Sequence, residues 1–233
     1  MMGSRINERT DTRAVRVWDL PTRLFHWSLA ACVVGSFVSG KIGGNAIVWH
    51  MRFGYVVFAL LGFRLLWGFV GGRWSRFTSF VYAPSTLLRY LRKQGRYDEH
   101  LEVGHSPLGS LSVIALLVFL SAQVGSGLFA DDEIATTGPL NAFVSTATGL
   151  ALTSYHKTGG QWALVALVVL HMVAIVVYRV RLRKDLVGPM IGGDKQLPGS
   201  VPDSADSTAT RALAAVLLTG CAAVVAWLVQ LGG

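Results

Sequence analysis

Five long apolar runs fix the class of this chain before any other feature does. A hydrocarbon core about 30 Å thick asks for roughly 20 apolar residues per spanning helix. Leu24–Gly40, Val48–Val70, Leu108–Phe129, Trp162–Tyr178 and Ala212–Val229 each approach that length. Of the 233 residues, 52% are hydrophobic and 15% charged, which is too apolar for an ordinary water-soluble domain. Connections between the first four runs are too short to hold a separate soluble domain, so any chemistry belongs inside the bundle or at its rims. The expected fold is an all-α integral membrane protein. A four-helix transmembrane bundle at residues 1–193 is followed, at residues 194–233, by a flexible linker and a fifth, C-terminal transmembrane helix.

A formal net charge of +8 could suggest nucleic acid, but in a membrane protein the placement of Lys and Arg says more than their sum, and no nucleic-acid partner is expected. Arg5, Arg9, Arg13, Arg16 and Arg23 precede the first run. Arg73, Arg76, Arg89, Arg92, Lys93 and Arg96 fill the second-to-third connection, and Arg179, Arg181, Arg183, Lys184 and Lys195 the fourth-to-fifth. The other two connections offer only Lys41, and Asp131, Asp132 and Glu133 against Lys157. Basic and non-basic connections thus alternate with every crossing. The positive-inside rule then predicts an N-terminus inside, a C-terminus outside, and five crossings.

The first run has a long basic N-region and no clear A-x-A site before Lys41, so it is expected to be retained as a signal anchor. Cys32 and Cys221 lie far apart within apolar runs and no C-x-x-C-H is present, which removes covalent c-type haem, a zinc ribbon and a disulfide framework. Ser106-Pro107 reads as a helix start. Gly188–Ser207, rich in Gly, Pro, Ser and Asp, reads as a flexible connection that makes the last helix a separable appendage. Trp18, Trp27, Trp49, Trp74 and Trp162 fall near run ends, where indoles favour the headgroup zone. No internal repeat is visible.

Six histidines remain: His26, His50, His100, His105, His156 and His171. His26, His50, His156 and His171 sit in or against the first, second and fourth runs, where an ionisable group is expensive and functional by default. Any one alone reads equally well as an interfacial or hydrogen-bonded residue. Together they are harder to dismiss. His156 and His171 are 15 residues apart, about 22 Å of helical rise and roughly 60° of rotation, which puts them on one broad face near opposite leaflets. The topology pairs His50 with His156 near the outer surface and His26 with His171 near the inner one. Two such pairs suit two bis-imidazole haems. The inner match is imperfect in depth, which leaves His105 as a rival partner for His26. His100, in a charged loop, reads as solvated.

Arg64 follows His50 by 14 residues and lies near the depth of His171, where it needs an anion such as a haem propionate or else snorkels to the headgroups. Gly35, Gly40, Gly54, Gly62, Gly125 and Gly127 remove side chains where either a flat macrocycle or a neighbouring helix could lie.

Several segments resemble the bacterial cytochrome b561 family, which includes the b-type cytochrome subunits of nickel–iron hydrogenases. They are VRVWDLPTRLFHW (Val15–Trp27), WHMRFGYVVFALLGFRLLWG (Trp49–Gly68), GHSPLGSLSV (Gly104–Val113), QVGSGLFADDE (Gln123–Glu133), HKTGG (His156–Gly160) and the later Leu170-His171. The resemblance runs from about Val15 to Gly193. It implies a four-helix di-haem core that binds two haem b groups through iron ligands matching His26, His50, His156 and His171. It also implies electron transfer between quinone and a redox protein, either a periplasmic c-type cytochrome or a hydrogenase-type partner. A competing reading is a superoxide:quinone oxidoreductase working at the outer haem, which a basic outer funnel would favour; the Ala130–Glu133 connection is acidic instead. A haemless anchor or transporter would need another use for the four histidines, and no relay of Asp or Glu lies within the runs.

Overall fold

The computed structural model describes residues 12–92, 101–134, 136–198 and 200–232. Arg5, Arg9, Lys93, Arg96 and His100 lie outside the described residues. The described chain opens with a short strand, β1 (Thr12–Arg16). Asp19 then caps α1 (Leu20–Ile42) by accepting from the Thr22 N–H, and Pro21 occupies the first turn, where its missing N–H costs nothing. A turn through Gly43 and Gly44, both at positive φ (66° and 52°), reverses the chain into α2 (Ile47–Val70). A short α3 (Pro84–Leu91) precedes α4 (Pro107–Leu128), which begins at the Ser106-Pro107 cap. Next, α5 (Thr146–Tyr155), a π-turn at His156–Gly160 and α6 (Gln161–Val180) continue as one rod. The chain closes with α7 (Val187–Gly192), β2 (Asp194–Pro198) and α8 (Thr208–Gln230).

Among the described residues, four helical stretches are long and apolar enough to cross a membrane: Gly44–Val70, Pro107–Leu128, Thr146–Val180 and Thr208–Gln230. At 23 residues α1 has the length, but Arg23, His26 and Lys41 lower its hydropathy and it is not among the four. The hub of the bundle is α2, against which α1, α4 and α8 all pack, while α6 lies on α4. Small residues set the spacing, as lipid-embedded helices require. A Cβ on Gly35 would lie 2.8 Å from the Phe53 ring, and one on Gly62 would touch Cys221 Sγ of α8 at 3.4 Å. No residue of α6 is buried; Val169, Leu170, Val173 and Val176 all face outward, as an acyl-chain environment permits.

The structure departs from the composition-based reading of Gly188–Ser207. Its described residues include a strand, which adds a small sheet to the helices. β2 pairs antiparallel with β1 from Thr12↔Pro198 to Arg16↔Asp194. Val201 packs with Val15, Val17, Trp18, Trp74 and Val103 in a compact cap at one end of the bundle. Ser204 Oγ donates to the Val17 carbonyl at 2.8 Å, and Asp206 receives both Arg16 and the Leu20 N–H. Nor is α8 an appendage: Ala214 is buried among Phe25, Leu60, Phe63 and Trp67. Trp18 and Trp74 belong to the cap core rather than to the headgroup zone, whereas Trp27, Trp49 and Trp162 are exposed near helix ends.

Candidate functional site

His50 stands in the first turn of α2, and His156 opens the π-turn. Their ring centroids are 5.8 Å apart and their planes perpendicular, at 89°. Each ring is held in the same way by a neighbouring helix. His50 Nδ1 lies 2.8 Å from the Ser36 carbonyl oxygen of α1 and 3.2 Å from Ser36 Oγ. His156 Nδ1 lies 2.8 Å from the Gln123 carbonyl oxygen of α4 and 3.2 Å from Ser126 Oγ. A carbonyl only accepts, so Nδ1 carries the proton in both rings and Nε2 keeps its lone pair. This is how imidazole ligands are oriented for metal binding. Two glycines complete the symmetry, since a Cβ would come within 2.8 Å of His50 Nδ1 at Gly40 and within 2.9 Å of His156 Cε1 at Gly127.

Both rings line a cavity of about 1040 Å³, walled mainly by apolar side chains such as Val33, Phe37, Leu120, Leu164 and Val168, with Gly54 leaving open space. That volume suits a large cofactor. The ring spacing is of the order that two metal–imidazole bonds of about 2 Å each would span. These residues fit a bis-imidazole haem.

Towards the cap end lie His26 of α1 and His171 of α6. His26 Nδ1 is buried with no hydrogen-bond partner among the described residues. The π-turn helps to align this pair with the other. It takes up about one residue more than α geometry, so the 15 residues from His156 to His171 turn like roughly 14, about 40° from alignment.

Arg64 is 4% exposed, so it does not snorkel. Its guanidinium lies over the rings of Phe77 (5.0 Å) and Phe80 (5.6 Å), and its Nη1 is buried without a partner. Part of the anion that Arg64 needs is already present in Asp19, whose charge reaches it. That carboxylate is fully buried and accepts from the Thr22 N–H (2.7 Å), Trp67 Nε1 (3.2 Å) and Ser75 Oγ (2.8 Å). His105 is wedged between the rings of Trp18 (4.7 Å) and Phe80 (4.8 Å). Burial first, and then the charges of Arg64, His26 and His171, push its imidazole down to about 3, so it sits neutral beside that cluster.

Asp131, Asp132 and Glu133 lie at the opposite end, where Asp132 and Lys157 line the cavity. The first two carboxylates shape the turn: Asp131 accepts from the Glu133 N–H, and Asp132 from the Ile134 and Thr136 N–H groups. Of the remaining glycines, Gly62 serves helix packing and Gly125 faces open space. Ser36, Gln123, Ser126 and Asp19 are site residues that the histidine pattern did not reveal. Only Asp19 had a readable signal, as an Asp cap before Leu-Pro-Thr.

Residues 17–193 match the profile of prokaryotic cytochrome b561. The chain belongs to that family. With its apolar helices, this makes it a multi-pass membrane protein. It is similar to a probable Ni/Fe-hydrogenase B-type cytochrome subunit of Bradyrhizobium diazoefficiens, 25% identical over 78% of this chain and 86% of that one. Proteins of the same description from Azotobacter chroococcum (27% identical) and Azotobacter vinelandii (28% identical) are each matched over 82% of this chain and 92% of their own. No solved structure matches the chain.

Proposed function

We propose that this b561-family chain holds two haem b groups, one between His50 and His156 and one between His26 and His171, and passes electrons across the membrane between a redox protein and quinone. The observation that carries the reading is the facing pair of imidazoles at 5.8 Å, each with its Nδ1 proton committed to a main-chain carbonyl, beside an apolar cavity. The partner is taken to be hydrogenase-like because the relatives are described as hydrogenase cytochrome subunits. The comparisons lend no support to superoxide oxidation. The family profile ends at residue 193, which supports treating residues 194–233 as an addition to the di-haem core.

Bound haem supplies a one-electron iron couple. The chain's residues set the conditions around it. Ser36 and Gln123 carbonyls fix the tautomer of His50 and His156 and raise their basicity. Apolar walls exclude water and so tune the potential. Arg64, dry and with Nη1 unpartnered, is placed to receive a propionate alongside Asp19.

The test is stoichiometry. Purified protein should yield two haems per chain, extractable by acid acetone, with six-coordinate low-spin spectra. His50→Ala or His156→Ala should leave one haem, and His171→Ala should leave the other. A single haem in the native chain, or a five-coordinate spectrum, would refute the pairing.

A further inference from the structure

The segment after α2, Gly71 to Tyr82, places two arginines and a group of hydroxyls around a second cavity, of about 390 Å³. Arg73, Arg76, Thr78, Ser79 and Tyr82 line it. Neither arginine forms an ion pair among the described residues. Two of the hydroxyls are already committed, Ser79 donating to the Arg76 carbonyl and Tyr82 to that of His105. Arg76 spends only Nε, on the Gly71 carbonyl. The donors left facing the cavity are therefore the two guanidinium groups and the Thr78 hydroxyl, which is a set suited to a phosphate.

The surroundings say where such a phosphate comes from. The cavity lies just beyond the end of a membrane-length helix, flanked in sequence by exposed Phe69, Val70 and Val81. It is followed by α3, on which Leu88 and Leu91 are exposed beside Arg89, with Arg92 at the helix end. A short helix with apolar and basic sides lies in the headgroup plane. Basic pockets at that depth on the cytoplasmic side receive anionic lipid headgroups.

We infer that the cavity between Arg73 and Arg76 binds the phosphate of an anionic phospholipid, whose acyl chains lie along Phe69, Val70 and Val81.

Native mass spectrometry of the haem-loaded chain, with phosphatidylglycerol and phosphatidylcholine in competition, tests this. Wild type should retain phosphatidylglycerol selectively. R73Q/R76Q should lose that preference by roughly ten- to thirty-fold, R73K/R76K should keep most of it, and R181Q/R183Q at the end of α6 should not change it. An unchanged preference in R73Q/R76Q overturns the proposal. Inorganic phosphate at millimolar concentration should fail to displace the lipid from wild type; full displacement would assign the site to a soluble anion and equally overturn it. This second arm needs no variant, so it can overturn the proposal even if the double substitution does not fold.

Discussion

Gly40 and Gly127 carry more of the site than their lack of a side chain suggests, because each lets an imidazole press against the neighbouring helix and reach a main-chain carbonyl. Adding one methyl at Gly127 puts Cβ 2.9 Å from His156 Cε1, closer than packed carbons come, so the ring must shift or tilt. Overpacking of this kind typically costs about 1–3 kcal/mol. Gly127→Ala should therefore lower occupancy of the haem at this end or move its midpoint potential. Gly125→Ala, where a Cβ would meet nothing within 4 Å, should leave both unchanged. Potentiometric titration of both variants separates a steric effect on the ligand from a general loss of fold. At this scale the facing of His50 and His156 was legible, since ionisable groups at matched depths are rare in apolar runs. Their acceptors were not, because Ser36 and Gln123 bind through backbone carbonyls, which every residue carries. Arg64 was legible as a buried charge. Its cover by Phe77 and Phe80 was not, since that depends on how the loop after α2 folds back.

Among the elements, hydropathy located the long helices to within a few residues, except that the fourth run begins at Trp162 whereas its rod begins at Thr146. Leu24–Gly40 became Leu20–Ile42, extended by the Asp19 cap and Pro21. Hydropathy missed the π-turn at His156–Gly160, which changes rotation and not polarity. Composition misjudged Gly188–Ser207, whose polar side chains find partners almost the length of the chain away, on β1 and at the start of α1. That latch should respond to acid. The backbone N–H of Arg16, followed by Arg13, holds the Asp203 carboxyl below its ordinary range. Burial works the other way on Asp206, but Arg211, the Leu20 N–H and Arg16 outweigh it and its pKa is also lowered. Carboxylates with depressed folded-state pKa values stabilise above their unfolded value, about 3.9, and that contribution is lost as pH falls through the folded value. Exchange protection of the β1 and β2 amides, corrected for intrinsic rates, should hold from pH 8 to 5 and fall below about pH 4. Asp206→Asn should loosen the same amides already at pH 7, by about 1–3 kcal/mol. If exchange stays equally slow at both pH values and in the variant, the ion pairs do not hold the cap.

For the whole molecule, the topology turns on α1, since among the described residues four other stretches are long and apolar enough to cross a membrane. The two ends of the described chain bear on this without using charge. β1 lies in the cap with Trp74, Val103 and Val201, at the end where the second-to-third and fourth-to-fifth connections meet. Gly232 lies against Pro139 in the third-to-fourth connection, at the other end: a Cβ there would be 2.3 Å from the Pro139 carbonyl oxygen. A path that starts at one end and finishes at the opposite end crosses an odd number of times. Four is even, so we propose α1 as the fifth crossing, its polar Arg23 and His26 held at the cap end and Lys41 lying over Phe37 and Trp162 at the other. The cap end gathers Arg13, Arg16, Arg73, Arg76, Arg181 and Lys184, so the positive-inside rule predicts that it faces the cytoplasm. The turn at Gly43 and Gly44, where added side chains would meet nothing, is a tolerant insertion point. Alkaline phosphatase inserted there should be active, as it should after Gly233, whereas the enzyme inserted after Arg92 should be inactive and green fluorescent protein at that point bright. Green fluorescent protein fused at the N-terminus should also be bright; active phosphatase at the N-terminus, with the other results unchanged, would mean that α1 lies along the surface. His26 would then lie at the same face as His50, and the assignment of one haem to each leaflet would fail with it.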